Sequence, residues 1–229
     1  MKNILKIALL TAALTAFFTP NLALAQAAKL YPTVSAITFK TNMRKLWQDH
    51  AFWTRNVIFC LVDGLPGQVQ TVKRQLQNQI DLGNAIKPYY GEATGDKFTE
   101  LLYVHVNTTS DIVKAAKTSD TAIINDTNKK WFANADEMVK FLHKLNPDWA
   151  VGDLKKMIND QMKLTADEAT ERLKKNYDAD AEAFDKVHDG ILKMSDSIAE
   201  GIIKQFPNKF KTIAVTKTVT KAVPKKAIK

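Results

Sequence analysis

From residue 41 to about residue 205, apolar side chains return every three or four positions, the period of a helix with one buried face. On the first such stretch Met43, Leu46, Trp47, His50, Trp53, Thr54, Val57, Ile58 and Leu61 share a stripe, which stops at the turn-forming GLPG of residues 64–67. A second helix is predicted over 68–86, with Val69, Val72, Leu76, Ile80 and Gly83 on its inner side, broken by KPYYGEATG. A third, over 96–117, carries Phe98, Leu101, Leu102, His105, Thr109, Ile112, Val113 and Ala116. A fourth, over 121–145, carries Ile124, Asn128, Trp131, Ala135, Met138 and Leu142 and ends at NPDWAVGD.

Two shorter helices are predicted next, over 153–163 and 166–175. The second would open on a capping box in which Thr165 and Glu168 each satisfy a free amide of the first turn. A last long helix, over 179–205, carries Phe184, His188, Ile191, Ser195, Ile198 and Ile202. No stretch alternates with period two for long enough to require a sheet. The expected fold is all-α, a six- or seven-helix up-and-down bundle over residues 41–208. Residues 98–117 also lie over 184–203 without gaps, pairing Phe98 with Phe184 and Ile112 with Ile198. A repeat of that kind would make two related three-helix halves.

The ends of the chain have a different character. Lys2 and Lys6 precede the apolar run IALLTAALTAFF, and Ala23-Leu24-Ala25 places small residues before Gln26, the pattern of a signal peptide over residues 1–25. A periplasmic or secreted location is the expectation. Residues 26–40 hold a proline and β-branched residues without helical period and read as an extended arm.

The net charge of +9 is unevenly placed. Without Lys2 and Lys6 it becomes +7, and Lys209, Lys211, Lys217, Lys221, Lys225, Lys226 and Lys229 account for all of that remainder. The protein is therefore a neutral body with a cationic tail over 209–229, low in complexity and expected to be disordered by itself. Such a tail suits an anionic envelope polymer or lipid. Without interleaved aromatic residues, it offers nucleic acid only salt-sensitive, sequence-independent attraction. The single cysteine, Cys60, lies on the first stripe and excludes an intramolecular disulfide framework or a cysteine-rich zinc site.

Three of the four histidines, His50, His105 and His188, fall on apolar stripes near the middle of different long helices, whereas His143 does not. Facing helices of a bundle can bring such positions together. Imidazole binds first-row transition metals, and Asp185 lies three residues before His188, so His50, His105, His188 and Asp185 form a candidate metal site. The competing reading is a buried polar network, with Asn128, Gln161 and Asp180 at comparable inward positions, that fixes helix register. Arg55 and Arg74 are candidates for ion pairs with Asp81 or Asp185, for stacking on Trp53 or Trp47, or for an anionic ligand. No glycine-rich phosphate loop, G-x-S-x-G elbow, H-E-x-x-H or paired Glu-x-x-His is present.

The blocks HAFWTR, KPYYGEATG, WFANADE, NPDW and GIIKQFPNKF resemble a family of small uncharacterised bacterial helical proteins with an H-x-x-W-T-R … Y-Y-G … W-x-x-N-A-D-E pattern, over residues 43–210. The resemblance marks His50, Trp53, Thr54, Arg55, Asp81, Tyr90, His105, Trp131, Asn134 and Asp136. Of these, Trp53, Arg55, Asp81, Tyr90, Trp131, Asn134 and Asp136 are taken as candidate binding residues. The chain departs from the pattern at Gln161, where the family has histidine, which weakens any metal site needing a ligand there. Relatives carry kinase or glycosyltransferase labels for which this chain supplies no motif. The expected function is a non-catalytic binding or interaction module of the bacterial envelope or exterior. The alternatives are a metal-binding bundle using inward histidines and a transferase.

Overall fold

A computed structural model describes residues 33–210. They form six helices and a final 3-10 turn. The helices are α1 (Val34–Asp63), α2 (Gln68–Tyr90), α3 (Glu92–Lys117), α4 (Thr121–Leu145), α5 (Val151–Leu173) and α6 (Tyr177–Gln205), and the turn is Pro207–Phe210. Connections of one to five residues force each helix to turn back along its predecessor. Each helix packs on the next, α1 also packs on α6 to close the ring, and α1 further touches α3 and α5. This is an up-and-down bundle with α1 as its most embedded helix, which explains why the stripe on α1 is broad. Among the described residues, no helix is long and apolar enough to cross a membrane. The expected signal peptide over residues 1–25, residues 26–32 of the expected arm and the chain beyond Phe210 lie outside the described residues.

Four boundaries differ from expectation, each for a local reason. The arm is helical from Val34, and Ala36, one turn inside, is buried with the core of α1. Helix α2 runs through Pro88 to Tyr90, because a proline in the last turn removes one backbone bond and little else. The reversal falls on Gly91 alone, at φ 88°, where only glycine is unstrained, and α3 starts at the next residue. Helix α5 is one element, not two. Thr165 Oγ1 donates to the Gln161 carbonyl (3.0 Å) instead of capping a new helix, and Glu168 is turned inward to an arginine.

The face of α2 is also rotated from expectation. Val69 is 74% exposed, while Gln75, Asn78, Gln79, Leu82, Gly83 and Ile86 face inward. Polar residues at i, i+3 and i+4 replace the aliphatic stripe. Near Gly83 the α2 and α3 backbones meet. A Cβ there would stand 2.6 Å from the Gly95 carbonyl, and one on Gly95 would stand 2.7 Å from the Gly83 carbonyl.

The principal core runs through all six helices, from Met43 and Trp47 to Ile198 and Ile202, and ends at an aromatic cluster of Phe39, Tyr89, Phe206 and Phe210. Each large aliphatic side chain it buries contributes about 1.5–3 kcal/mol. The proposed repeat is not mirrored in this packing. Phe98 is buried and Phe184 only half-buried, while Ile112 is half-buried and Ile198 buried.

Candidate functional site

The structure brings two of the three candidate histidines together. His50 on α1 and His105 on α3 line the same interior cavity of about 40 Å³, and both line a second of about 20 Å³ beside it. A third, of about 70 Å³, lies beyond and shares Thr109 and Thr165 with the second. His188 is elsewhere, with Nε2 3.3 Å from Gln48 Nε2, and Asp185 is exposed. The expected His50–His105–His188–Asp185 site is therefore not assembled. Position 188 lies one residue past the buried Val187, so the α6 stripe passes His188 by. Among the described residues, no group of three or more His, Cys, Asp or Glu is placed to hold a metal ion.

The polar layer around His50 is built by α2. Gln75 Nε2 donates to Thr54 Oγ1 (3.0 Å), and Asn78 Nδ2 donates to the Leu46 carbonyl (3.0 Å). Gln79 Nε2 donates to the Gln75 carbonyl (2.9 Å) and to Asn78 Oδ1 (3.3 Å). Gln79 Oε1 therefore faces His50 Nδ1, at 3.2 Å, purely as an acceptor. That contact places the imidazole proton on Nδ1 and leaves Nε2 as the lone-pair nitrogen. A register-fixing polar network does exist, but its members are Thr54, Gln75, Asn78 and Gln79. Asn128 is half-buried on α4, Gln161 lines the cavities, and Asp180 belongs to an ion-pair cluster.

Each imidazole lies against a tryptophan. The ring centroids of Trp47 and His50 are 5.5 Å apart, and those of Trp131 and His105 are 5.7 Å apart. Burial pushes the His50 pKa down to about 4, against a smaller opposing effect of Gln79. Burial, and then the nearness of His50, push His105 down to about 3. Both rings are neutral at physiological pH. Asn134 is the neighbour that would favour a charged His105. Yet His105 Nδ1 and Asn134 Oδ1 are both buried without a hydrogen bond, while Asn134 Nδ2 donates to the Leu101 carbonyl (3.1 Å). Trp47 Nε1, whose residue lines the first cavity, and Trp131 Nε1, whose residue lines the third, are likewise buried and unpartnered, as are Arg74 Nη1, Trp149 Nε1 and Ser195 Oγ away from these cavities. Buried polar atoms in folded proteins nearly always have partners, and a bound water or ligand atom would supply them here.

The remaining candidates are dispersed. Arg55 is 2.7 Å from Glu168 and 2.8 Å from Asp180, two carboxylates at 1% exposure, and its guanidinium is stacked between Phe59 and Phe184. Arg172 joins Asp180 to Asp63 and covers the Phe59 ring, at 3.9 Å. Burial raises the Glu168 pKa to about 7, opposed by Arg55 and assisted by Asp180. Arg55 thus ties α1 to α5 and α6, and it pairs with neither Asp81 nor Asp185. The expected Asp81 pairing falls instead to Arg74, 3.8 Å away and 5.3 Å over the ring of Trp53.

Tyr90 Oη donates to Gln205 Oε1 (2.6 Å) at one end of the bundle, and burial pushes its pKa up to about 12. Asp136 is a surface carboxylate paired with Lys155, which lowers its pKa. Of the seven candidate binding residues, only Trp131 and Asn134 stand beside the histidine pair. His143, off the apolar stripes in the sequence, is half-buried with Nδ1 2.8 Å from the Trp149 carbonyl. Lys209 is exposed on the final turn, and the other tail lysines lie outside the described residues.

The residues that complete the site and were not anticipated are Gln75, Asn78 and Gln79, together with Met138 and Met194 on the first cavity. The Gln75-x-x-Asn78-Gln79 spacing was the available signal for the first three. The methionines carry none beyond their apolar period. In comparison with known proteins, the chain matches no family model, no curated protein and no solved structure at a significant level.

Proposed function

We propose that this protein is an exported, non-catalytic binding module whose site lies inside the helical bundle, where His50 and His105 meet. The carrying observation is the set of unpartnered buried atoms around the cavities: His105 Nδ1, Trp47 Nε1 and Trp131 Nε1. Apolar walls with a few convergent polar groups are the ordinary chemistry of a ligand pocket. The threonine hydroxyls beside the imidazoles are engaged, Thr54 Oγ1 accepting from Gln75 and Thr109 and Thr165 Oγ1 donating to the His105 and Gln161 carbonyls, and no carboxylate lines either cavity, which supports binding over catalysis. Arg55, a candidate for an anionic ligand, is already held by two carboxylates. The cationic tail would hold the module at an anionic envelope surface, as the neutral charge of the body suits.

Xenon binding tests the interior site, because a largely apolar hollow takes up the gas whereas a hydrated one resists it. Under xenon pressure, density or 129Xe exchange is expected at the cavity bounded by Leu102, Met138 and Ile191. An interior that admits no xenon and carries no co-purifying ligand in native mass spectrometry would overturn the reading.

A further inference from the structure

The first cavity has a chemical composition that its apolar character conceals. His50 from α1, His105 from α3, Met138 from α4 and Met194 from α6 all line it, so four helices each contribute one soft donor. We propose that this cavity is a binding site for a soft monovalent transition-metal cation, Cu(I), coordinated by the imidazoles of His50 and His105 with the thioethers of Met138 and Met194. The inference rests on the interior-site reading above and names the class of ligand.

The donor set selects among ions. Calcium and magnesium require oxygen ligands, and no carboxylate lines the cavity. A divalent ion there would be buried with its full charge and no anion, an expensive arrangement. Cu(I) carries half that charge, and thioether and imidazole are ligands it favours. Structural zinc sites use four strong donors, whereas this cavity offers only two nitrogens beside its sulfurs.

The surroundings resemble those of a metal site in two further respects. Gln79 holds His50 through Nδ1, so Nε2 presents its lone pair in a fixed orientation, the role that outer-shell partners play for ligating histidines. His105 Nδ1 is buried with no partner of its own.

A groove of about 450 Å³ between α5 and α6, lined by Asp153 and Asp160 and equally by Lys156 and Lys193, shares Gln161 with the cavity. The Gln161 side chain stands between the groove and the histidines, with Nε2 donating to the Val187 carbonyl (3.2 Å). It lies against Gly190, where a Cβ would come within 2.5 Å of its Oε1.

The test is an anaerobic titration of the full chain with Cu(I) in competition with bicinchoninate. Ag(I) serves as a redox-inert second probe and Zn(II) as the control. One equivalent of Cu(I) is expected to bind and to resist displacement by Zn(II). Loss of at least about 100-fold in affinity is expected for His50→Phe and for His105→Phe, and about 10-fold for Gln79→Leu, the usual cost of a lost outer-shell partner. Met138→Leu and Met194→Leu keep core volume and are each expected to weaken binding with the fold intact by circular dichroism. Cys60→Ser is expected to leave it unchanged. Cu(I) held equally by the wild type and by both histidine variants would overturn the assignment, as would no binding at all. If Cu(I) fails and xenon still enters, the ion is wrong and the interior site stands. If neither enters and no ligand co-purifies, both fall.

Discussion

Acidification should unfold this protein with a slope set by three buried groups. His50 and His105 titrate near 6.5 when unfolded and near about 4 and about 3 when folded. Between pH 6 and 5 unfolding therefore takes up most of a proton at each. Glu168 works in the opposite direction. Its folded pKa of about 7 keeps it protonated through this window, whereas the unfolded value of 4.5 leaves it mostly ionised, so unfolding releases most of a proton. The net uptake is about one proton, so stability should fall by about 1.4 kcal/mol from pH 6 to pH 5.

The sign follows from the histidines. Depressed folded values contribute stability above pH 6.5 that is lost as pH falls, and the raised carboxyl only offsets part of it. Glu168→Gln removes the offset, and the loss should steepen to about 2.5 kcal/mol over the same interval. His105→Phe with Glu168 intact should make the dependence nearly flat. Urea unfolding followed by circular dichroism at each pH measures all three. A wild type whose stability is flat or rises on acidification, with a Glu168→Gln variant no steeper, would refute the placement of these groups.

Arg55→Met leaves Glu168 at 1% exposure without its cation, while Arg172 still holds Asp180, and should cost about 1–3 kcal/mol in urea unfolding. Gly83→Ala drives a Cβ to 2.6 Å from the Gly95 carbonyl, so a loss of about 1–3 kcal/mol or more is expected, seen as a lower Tm. Gln161→His adds a third imidazole to the cavity that His50 and His105 line, and should create Co(II) binding, with tetrahedral visible absorption, that the wild type lacks. Removal of residues 211–229 should abolish retention on anionic vesicles at low salt while leaving Tm unchanged. Retention that survives truncation would remove the tail from the account.

The all-α bundle and the inward faces of four of its six helices were legible in the sequence because aliphatic and aromatic residues carry a 3.6 period there. The two exceptions, α2 and α5, share a cause. On α2, Gln75, Asn78 and Gln79 take the buried positions, so a rule that places apolar residues inside turned the helix to the wrong face. At Thr165 a capping box and a continuous helix share one sequence, and only the pairing of Glu168 with Arg55, from a helix 113 residues away, decides between them. The histidines were half legible. His50 and His105 meet because their stripes face the same interior, whereas His188 sits just off the buried face of α6 and finds Gln48. Periodicity reports which face is inward, not the height at which residues from different helices coincide. The cavities, the orphaned tryptophan nitrogens and the two methionines beside the imidazoles depend on those heights.

The most direct test of the account is the ¹⁵N spectrum of the histidine side chains as a function of pH. Two imidazoles are expected to stay neutral from pH 7 down to pH 5. His50 should be in the Nδ1–H form, its proton protected from exchange by Gln79. If His50 and His105 both titrate near 6.5 with freely exchanging protons, they face water, and the interior site does not exist.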